Sequence, residues 1–145
     1  MMRSVVHRLR TWTSADYVAL VETCVLAVVV EIALRAVPLA TILAAQERVG
    51  GDRNQVTLDA AARARLARFA AALYRPFGWR GTCLRQSLVL GTLLRRRGLP
   101  ARVCFGVDRR GAALTAHAWV ALDDVRIGDD GSHFHELARV RAWSA

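Results

Sequence analysis

The sequence predicts an α+β fold, a helical first half followed by a small antiparallel sheet, and three observations carry the prediction. Apolar residues recur at helical spacing in runs that reach Arg97. Gly98-Leu99-Pro100 then supplies the glycine-then-proline exit at which helices stop. Beyond it apolar and polar residues alternate, and short polar turns separate the runs as they do in hairpins.

At 145 residues the chain is one domain with room for a real core. It is 54% hydrophobic, with a mean hydropathy of +0.23, which fits a compact domain with a sticky face or a partly membrane-associated one. All 21 basic residues are arginine and the formal net charge is +9. Such a balance attracts nucleic acid, anionic lipid or an acidic peptide. Cys24, Cys83 and Cys104 form no C-x-x-C pair and no zinc spacing. They read as free thiols of a reducing cytoplasm. The basic N-terminus is followed by charges and no small-residue cleavage site, so a signal peptide is not expected.

Ser14 is the expected N-cap of a first helix from Ala15 to Val37, which Pro38 ends. Its uninterrupted apolar run, Thr23 to Val30, is short of the roughly 20 residues a spanning helix wants. Glu22 and Glu31 are half a turn out of phase and are expected on opposite sides of the rod. A helix buried against the domain or docked on a partner is the expectation. Leu39 to Arg48 reads as a second helix ending at Gly50-Gly51, and Asp52 to Val56 as a polar loop. Thr57 can cap a third helix from Leu58 to Leu73, with Leu58, Ala62, Leu66 and Phe69 inward and Arg63 and Arg68 solvated. Tyr74 to Trp79 is an aromatic connector that either walls a cleft or plugs the core.

Ala101 to Val107 reads as the first strand and Asp108 to Gly111 as a turn. Leu114 to Leu122 is the second strand, Asp123-Asp124 a two-residue hairpin turn, and Val125 to Gly128 the third strand. Strand alternation puts His117, Trp119 and Ala121 on one face and Ala118, Val120 and Leu122 on the core face. Gly131 to Leu137 reads as a solvated loop; His133 and His135 within it lack the second close ligand pair that a metal site requires.

The chemistry gathers at Cys83. A free thiol titrates near pH 8.5, and most free cysteines are simply small buried hydrophobes. A helix N-terminus carries unpaired N–H groups and about half a positive charge, which favours the thiolate. Cys83 falls in the first turn of the helix from Thr82, with Arg80 and Arg85 nearby in sequence. His117, on a strand, can take its proton, and a carboxylate after the third strand can orient the imidazole. A regular hairpin register pairs His117 with Asp130 and turns Asp129 away, whereas a bulge would bring Asp129 round. Spacing leaves the two open.

Cys83-Leu84-Arg85-Gln86-Ser87-Leu88, Arg96-Arg97-Gly98-Leu99-Pro100-Ala101, Phe105-Gly106-Val107, Ala116-His117-Ala118-Trp119-Val120 and Ile127-Gly128-Asp129 occur in this order. Together they resemble the transglutaminase-like cysteine peptidases of bacterial lasso peptide biosynthesis. The resemblance implies a papain/transglutaminase-like core, a nucleophile helix packed on a small antiparallel sheet, over residues 75–145. Residues 1–74 would then be a helical region of the same domain offering a partner-docking surface. It implies a cytoplasmic leader peptidase of the split-gene type, with Cys83 as nucleophile, His117 as base and Asp129 as orienting carboxylate. No cofactor and no metal are implied. The implied partners are the leader of a ribosomally made precursor, a separate leader-recognition protein and the lasso cyclase. Nucleic acid is not among them, and peripheral membrane contact is a further expectation. The competing readings are a transglutaminase-type acyltransferase and a non-enzymatic, arginine-rich module for RNA or membrane. Ala121 and Asp124 depart from the family pattern, in which Glu and Gly are frequent.

Overall fold

The computed structural model describes residues 12–49, 58–75, 82–110, 113–128 and 135–139; for 109, 110, 113 and 135–139 only the backbone is described. Among the described residues four helices precede four strands: α1 (Ser14–Ala36), α2 (Leu39–Arg48), α3 (Ala60–Tyr74), α4 (Thr82–Arg95), β1 (Arg102–Arg110), β2 (Ala113–Leu122), β3 (Val125–Ile127) and β4 (His135–Arg139). The strands form one antiparallel sheet in the order β3-β2-β1-β4. The chain is therefore α+β, with α4 at its centre, packed against α1, α3 and β2.

The helix ends follow from local chemistry. The cap of α1 is Thr13, not Ser14: the Thr13 N–H donates to an Asp16 carboxylate oxygen at 2.8 Å and its hydroxyl donates to the same oxygen at 2.9 Å. Three residues separate cap and carboxylate, the spacing of a capping box, whereas Ser14 would need its acid at Tyr17. Pro38 separates α1 from α2 and occupies the N-cap position of α2. Asp59 caps α3, accepting from the Ala62 N–H at 2.6 Å; Thr57 lies outside the described residues. Gly98, at φ 78°, ends α4 in a Schellman motif. The Leu99 N–H reaches the Leu94 carbonyl at 3.1 Å and the Gly98 N–H reaches that of Arg95 at 2.9 Å.

The core is built on α4, whose Leu88, Val89, Leu93 and Leu94 have no exposure. Val103 and Val120 close it from the sheet, Leu66, Phe69 and Ala70 from α3, and Leu26 and Val30 from α1. Arg68 is exposed as expected, but Arg63 is half-buried. The arginines at the end of α4 do more than complement its dipole. Arg95 donates to the backbone carbonyls of Gln46, Glu47 and Ala101, which fastens α2 and the start of β1. Arg96 and Arg97 each donate to Glu22 at 2.7 Å.

Glu31, meanwhile, accepts from Arg85 Nε at 2.6 Å. Glu22 and Glu31 are half a turn out of phase, as expected, yet neither points away from the domain. They flank the buried stripe Ala19, Thr23, Leu26, Val30 on its two sides, and both reach α4, one at each end. The opposite side of α1 is bare: Val18, Val21, Val25, Val28, Val29 and Ile32 are 52–66% exposed. By length and composition α1 could cross a membrane, its most apolar 18 residues having a mean hydropathy of 2.2, yet its three carboxylates are all paired: Asp16 to Arg65 of α3, Glu31 to Arg85 of α4, and Glu22 to Arg96 and Arg97 just past the end of α4.

Two strand expectations are corrected. β1 continues through Asp108 to Arg110, which pairs with Ala113, so the residues read as a turn are mostly ladder. Backbone pairing persists there although the hairpin has passed beyond the core; Leu114, opposite Arg109, is 69% exposed. Residues 135–137, read as the end of a loop, belong to β4, which lies on the open edge of β1. That edge has a full row of backbone groups to satisfy, and the local pattern of the tail does not reveal a partner so distant.

Candidate active site

Cys83 is the second residue of α4, in the first turn, and is half-buried. Its N–H belongs to the set that has no partner inside the helix, and no acidic residue shares that turn. The helix start is held from behind. Arg85 is paired with Glu31 of α1, so its charge is spent on fastening the helix rather than directed at the thiol. Tyr74, at the end of α3, is buried beside this pair. Burial, and then the negative charge of Glu31, push its hydroxyl up to about 12, with Arg85 opposing.

His117 stands on β2 directly opposite Gly106 of β1, where a residue without a side chain leaves the imidazole lateral room. The register between β1 and β4 shifts at the same place, between Phe105 and Gly106. Val120 and Leu122 are on the core face, as alternation predicts, and His117 shares the other face with Trp119. Their rings stack at 6.2 Å between centroids and 24° between planes. The guanidinium of Arg126 lies over the indole at 3.9 Å from the ring centroid. An imidazole, an indole and a guanidinium thus stand in one row. Sequence reading placed Trp119 beside His117 but missed Arg126. The signal was present: a two-residue hairpin pairs Ala121 with Arg126, which leaves Trp119 on the diagonal.

Cys83 and His117 line one cleft of about 70 Å³. Gln86 and Ser87 continue its floor along α4, and Ala67, Ala70 and Ala71 form the α3 wall. Three small residues in that wall keep the space open where larger side chains would fill it. Gly128 forms part of the opposite rim. Its φ of 75° lies in the left-handed region, and a Cβ there would come within 2.6 Å of the Ala67 Cβ. β3 ends at Ile127, so the regular ladder stops one residue before this turn. Asp129 and Asp130 follow it and lie outside the described residues, as does His133. Among the described residues no three His, Cys, Asp or Glu side chains are grouped to hold a metal ion.

A thiol at a helix tip, an imidazole on the adjoining strand and a neutral, small-walled cleft between helix and sheet are a set of parts suited to acyl transfer through a thioester. No curated protein and no solved structure matches the chain. The family model of the transglutaminase-like superfamily matches residues 24–141, which takes in α1 from its middle, all the other helices and the whole sheet. The chain belongs to the transglutaminase-like superfamily.

Proposed function

We propose that the protein is a cysteine peptidase that removes the leader from a ribosomally made lasso precursor peptide. One observation carries the enzymatic reading: Cys83 in the first turn of α4 and His117 on β2 line the same cleft. The superfamily includes both cysteine peptidases and acyltransferases. In the mechanism, the Cys83 thiolate attacks the carbonyl at the leader–core junction. Backbone N–H groups at the start of α4, that of Cys83 among them, hold the oxyanion. His117 protonates the departing core amine, water then resolves the thioester with His117 as base, and Asp129 orients the imidazole.

The work is cytoplasmic and shared. A leader-recognition protein presents the substrate and docks on the bare face of α1, and a cyclase closes the freed core. Cys83→Ala is expected to abolish cleavage with an unchanged circular dichroism spectrum; full turnover by that variant rejects the nucleophile. Comparing Asp129→Asn with Asp130→Asn ranks the two carboxylates by the larger loss of rate. The acyltransferase reading shares every residue and differs only in what resolves the thioester, so mass spectrometry of the product, free acid against new amide, separates the two. Against a non-enzymatic RNA-binding module stands the use of five of the 21 arginines, Arg65, Arg85, Arg95, Arg96 and Arg97, within the domain.

A further inference from the structure

Among the described residues the buried polar and charged side chains are Asp16, Thr23, Gln46 and Ser87. Three of them are bonded inside the domain. Asp16 accepts from Thr13 and Arg65, Thr23 donates to the Ala19 carbonyl, and Gln46 donates to Leu88 and Thr92. Ser87, only 4% exposed, has no hydrogen-bond partner among the described residues. Its oxygen is not sealed off as the Tyr74 hydroxyl is, and Ser87 lines the Cys83 cleft. Gln86 beside it is half-buried, lines the same cleft and is likewise unbonded among those residues. Leaving a buried hydroxyl unbonded is costly, so the partner of Ser87 comes from the cleft.

Helix spacing says what that partner must reach. Cys83, Gln86 and Ser87 are i, i+3 and i+4 on α4 and share one face, with the Cβ atoms of Cys83 and Ser87 about 5–6 Å apart. A water bonded to Ser87 at about 2.8 Å and poised about 3 Å from an acyl carbon on the Cys83 sulfur spans that interval. The cleft of about 70 Å³ has room for it, since roughly 15 Å³ holds one water. The alanine wall of α3 leaves that room beside the acyl group.

We infer that Ser87 and Gln86 seat the water that resolves the thioester. The inference rests on the peptidase reading: a hydrolase must hold this water, whereas an acyltransferase must keep it out. The water donates one proton to the neutral imidazole of His117 and the other to Ser87 Oγ. Its oxygen accepts from the Gln86 carboxamide N–H, and its remaining lone pair attacks the acyl carbon. The O–C bond forms as His117 takes the proton. The C–S bond then breaks, the acid departs, and Cys83 is restored as thiolate beside the imidazolium.

The test is Cys83 labelling by p-nitrophenyl acetate, with the acetyl group located by peptide mass mapping and the Cys83→Ala protein as control. The nitrophenolate burst reads acylation, and the lifetime of acetyl-Cys83 reads attack by water. Ser87→Ala is expected to keep the burst rate within two-fold of wild type and to lengthen the acetyl lifetime about five-fold, in the range one hydrogen bond is worth. Gln86→Leu should act in the same direction. Hydroxylamine, a nucleophile strong enough to attack without being held, should clear the acetyl group equally fast from wild type and variants. Lifetimes equal to wild type in both variants overturn the seat and leave the peptidase reading standing. Burst and lifetime slowed together, with no recovery in hydroxylamine, mean a structural role and overturn it as well. A wild-type acetyl-Cys83 that resists water and yields only to amines rejects the peptidase reading, and the seat with it.

Discussion

Gly128→Ala is the substitution whose cost can be worked most directly from the structure. The new Cβ would lie 2.6 Å from the Ala67 Cβ, against an optimal carbon–carbon separation of about 3.5–4.0 Å. The Ala67 backbone cannot yield easily, because α3 is pinned by buried Leu66, Phe69 and Ala70. The strand end must therefore move outward by about an ångström, and such overpacking costs roughly 1–3 kcal/mol. A left-handed residue with a Cβ adds about 1 kcal/mol. Together these predict a loss of about 2–4 kcal/mol, read by urea unfolding followed by circular dichroism. Ala67→Gly alone should cost roughly 1 kcal/mol through helix propensity. In the double variant the clash disappears and the left-handed penalty remains, so the pair should lose about 1–3 kcal/mol less than the sum of the singles. Additivity within about 0.5 kcal/mol would refute the steric argument. Because Gly128 rims the Cys83 cleft and immediately precedes Asp129, the single variant should also slow Cys83 labelling, and the double variant should recover part of it.

Three further outcomes are expected. Tyr74→Phe removes a buried hydroxyl that has no hydrogen-bond partner among the described residues, and should be neutral or stabilising by up to about 1 kcal/mol in urea unfolding. In the native wild type, an ultraviolet phenolate titration should show one of the two tyrosines ionising only near pH 12. Asp16 is held below its ordinary 3.8 by the Thr13 N–H and by Arg65, so its contribution is present above that value and fades as pH falls through the lower folded value. The stability gap between wild type and Asp16→Asn should accordingly be open at pH 7 and close in strong acid. Val21→Asp, Val25→Asp and Val28→Asp fall at positions 56–62% exposed and should each change stability by less than about 0.5 kcal/mol. Loss of pull-down of the leader-recognition protein in these variants is expected; unchanged affinity would remove α1 as its dock.

What was legible in the sequence was local. Pro38 and Gly98 mark helix ends because each acts on its own backbone, and both stand where expected. The two-residue turn at Asp123-Asp124 sets Leu122 against Val125, as predicted, because turn length alone determines that register. Cys83 and His117 could be picked out because each carries its own context, a helix start and an alternating strand. What was not legible depends on distant partners. Nothing near His135 announces that it will pair with Val107. Arg95 looks like a dipole-complementing residue until α2 delivers two carbonyls to it. The row that Arg102, Ala121 and Arg126 form across β1, β2 and β3 needs three strands in register before it exists at all.

The same limit explains why α1 is ambiguous as a sequence and not as a part of the fold. Hydropathy counts Asp16, Glu22 and Glu31 as three penalties scattered along an apolar rod. In the domain they are three attachments, to Arg65, to Arg96 and Arg97, and to Arg85. Lifting α1 into a bilayer would strand three carboxylates in hydrocarbon at about 2.5–3.5 kcal/mol for each one near its centre. It would also leave partly buried Arg85 and Arg97 without these partners on the domain. Any partner of the apolar side of α1 must therefore meet it while the helix stays on α4. Because its ion pairs grip both ends of α4, a partner bound on that side would bear on the helix that carries Cys83.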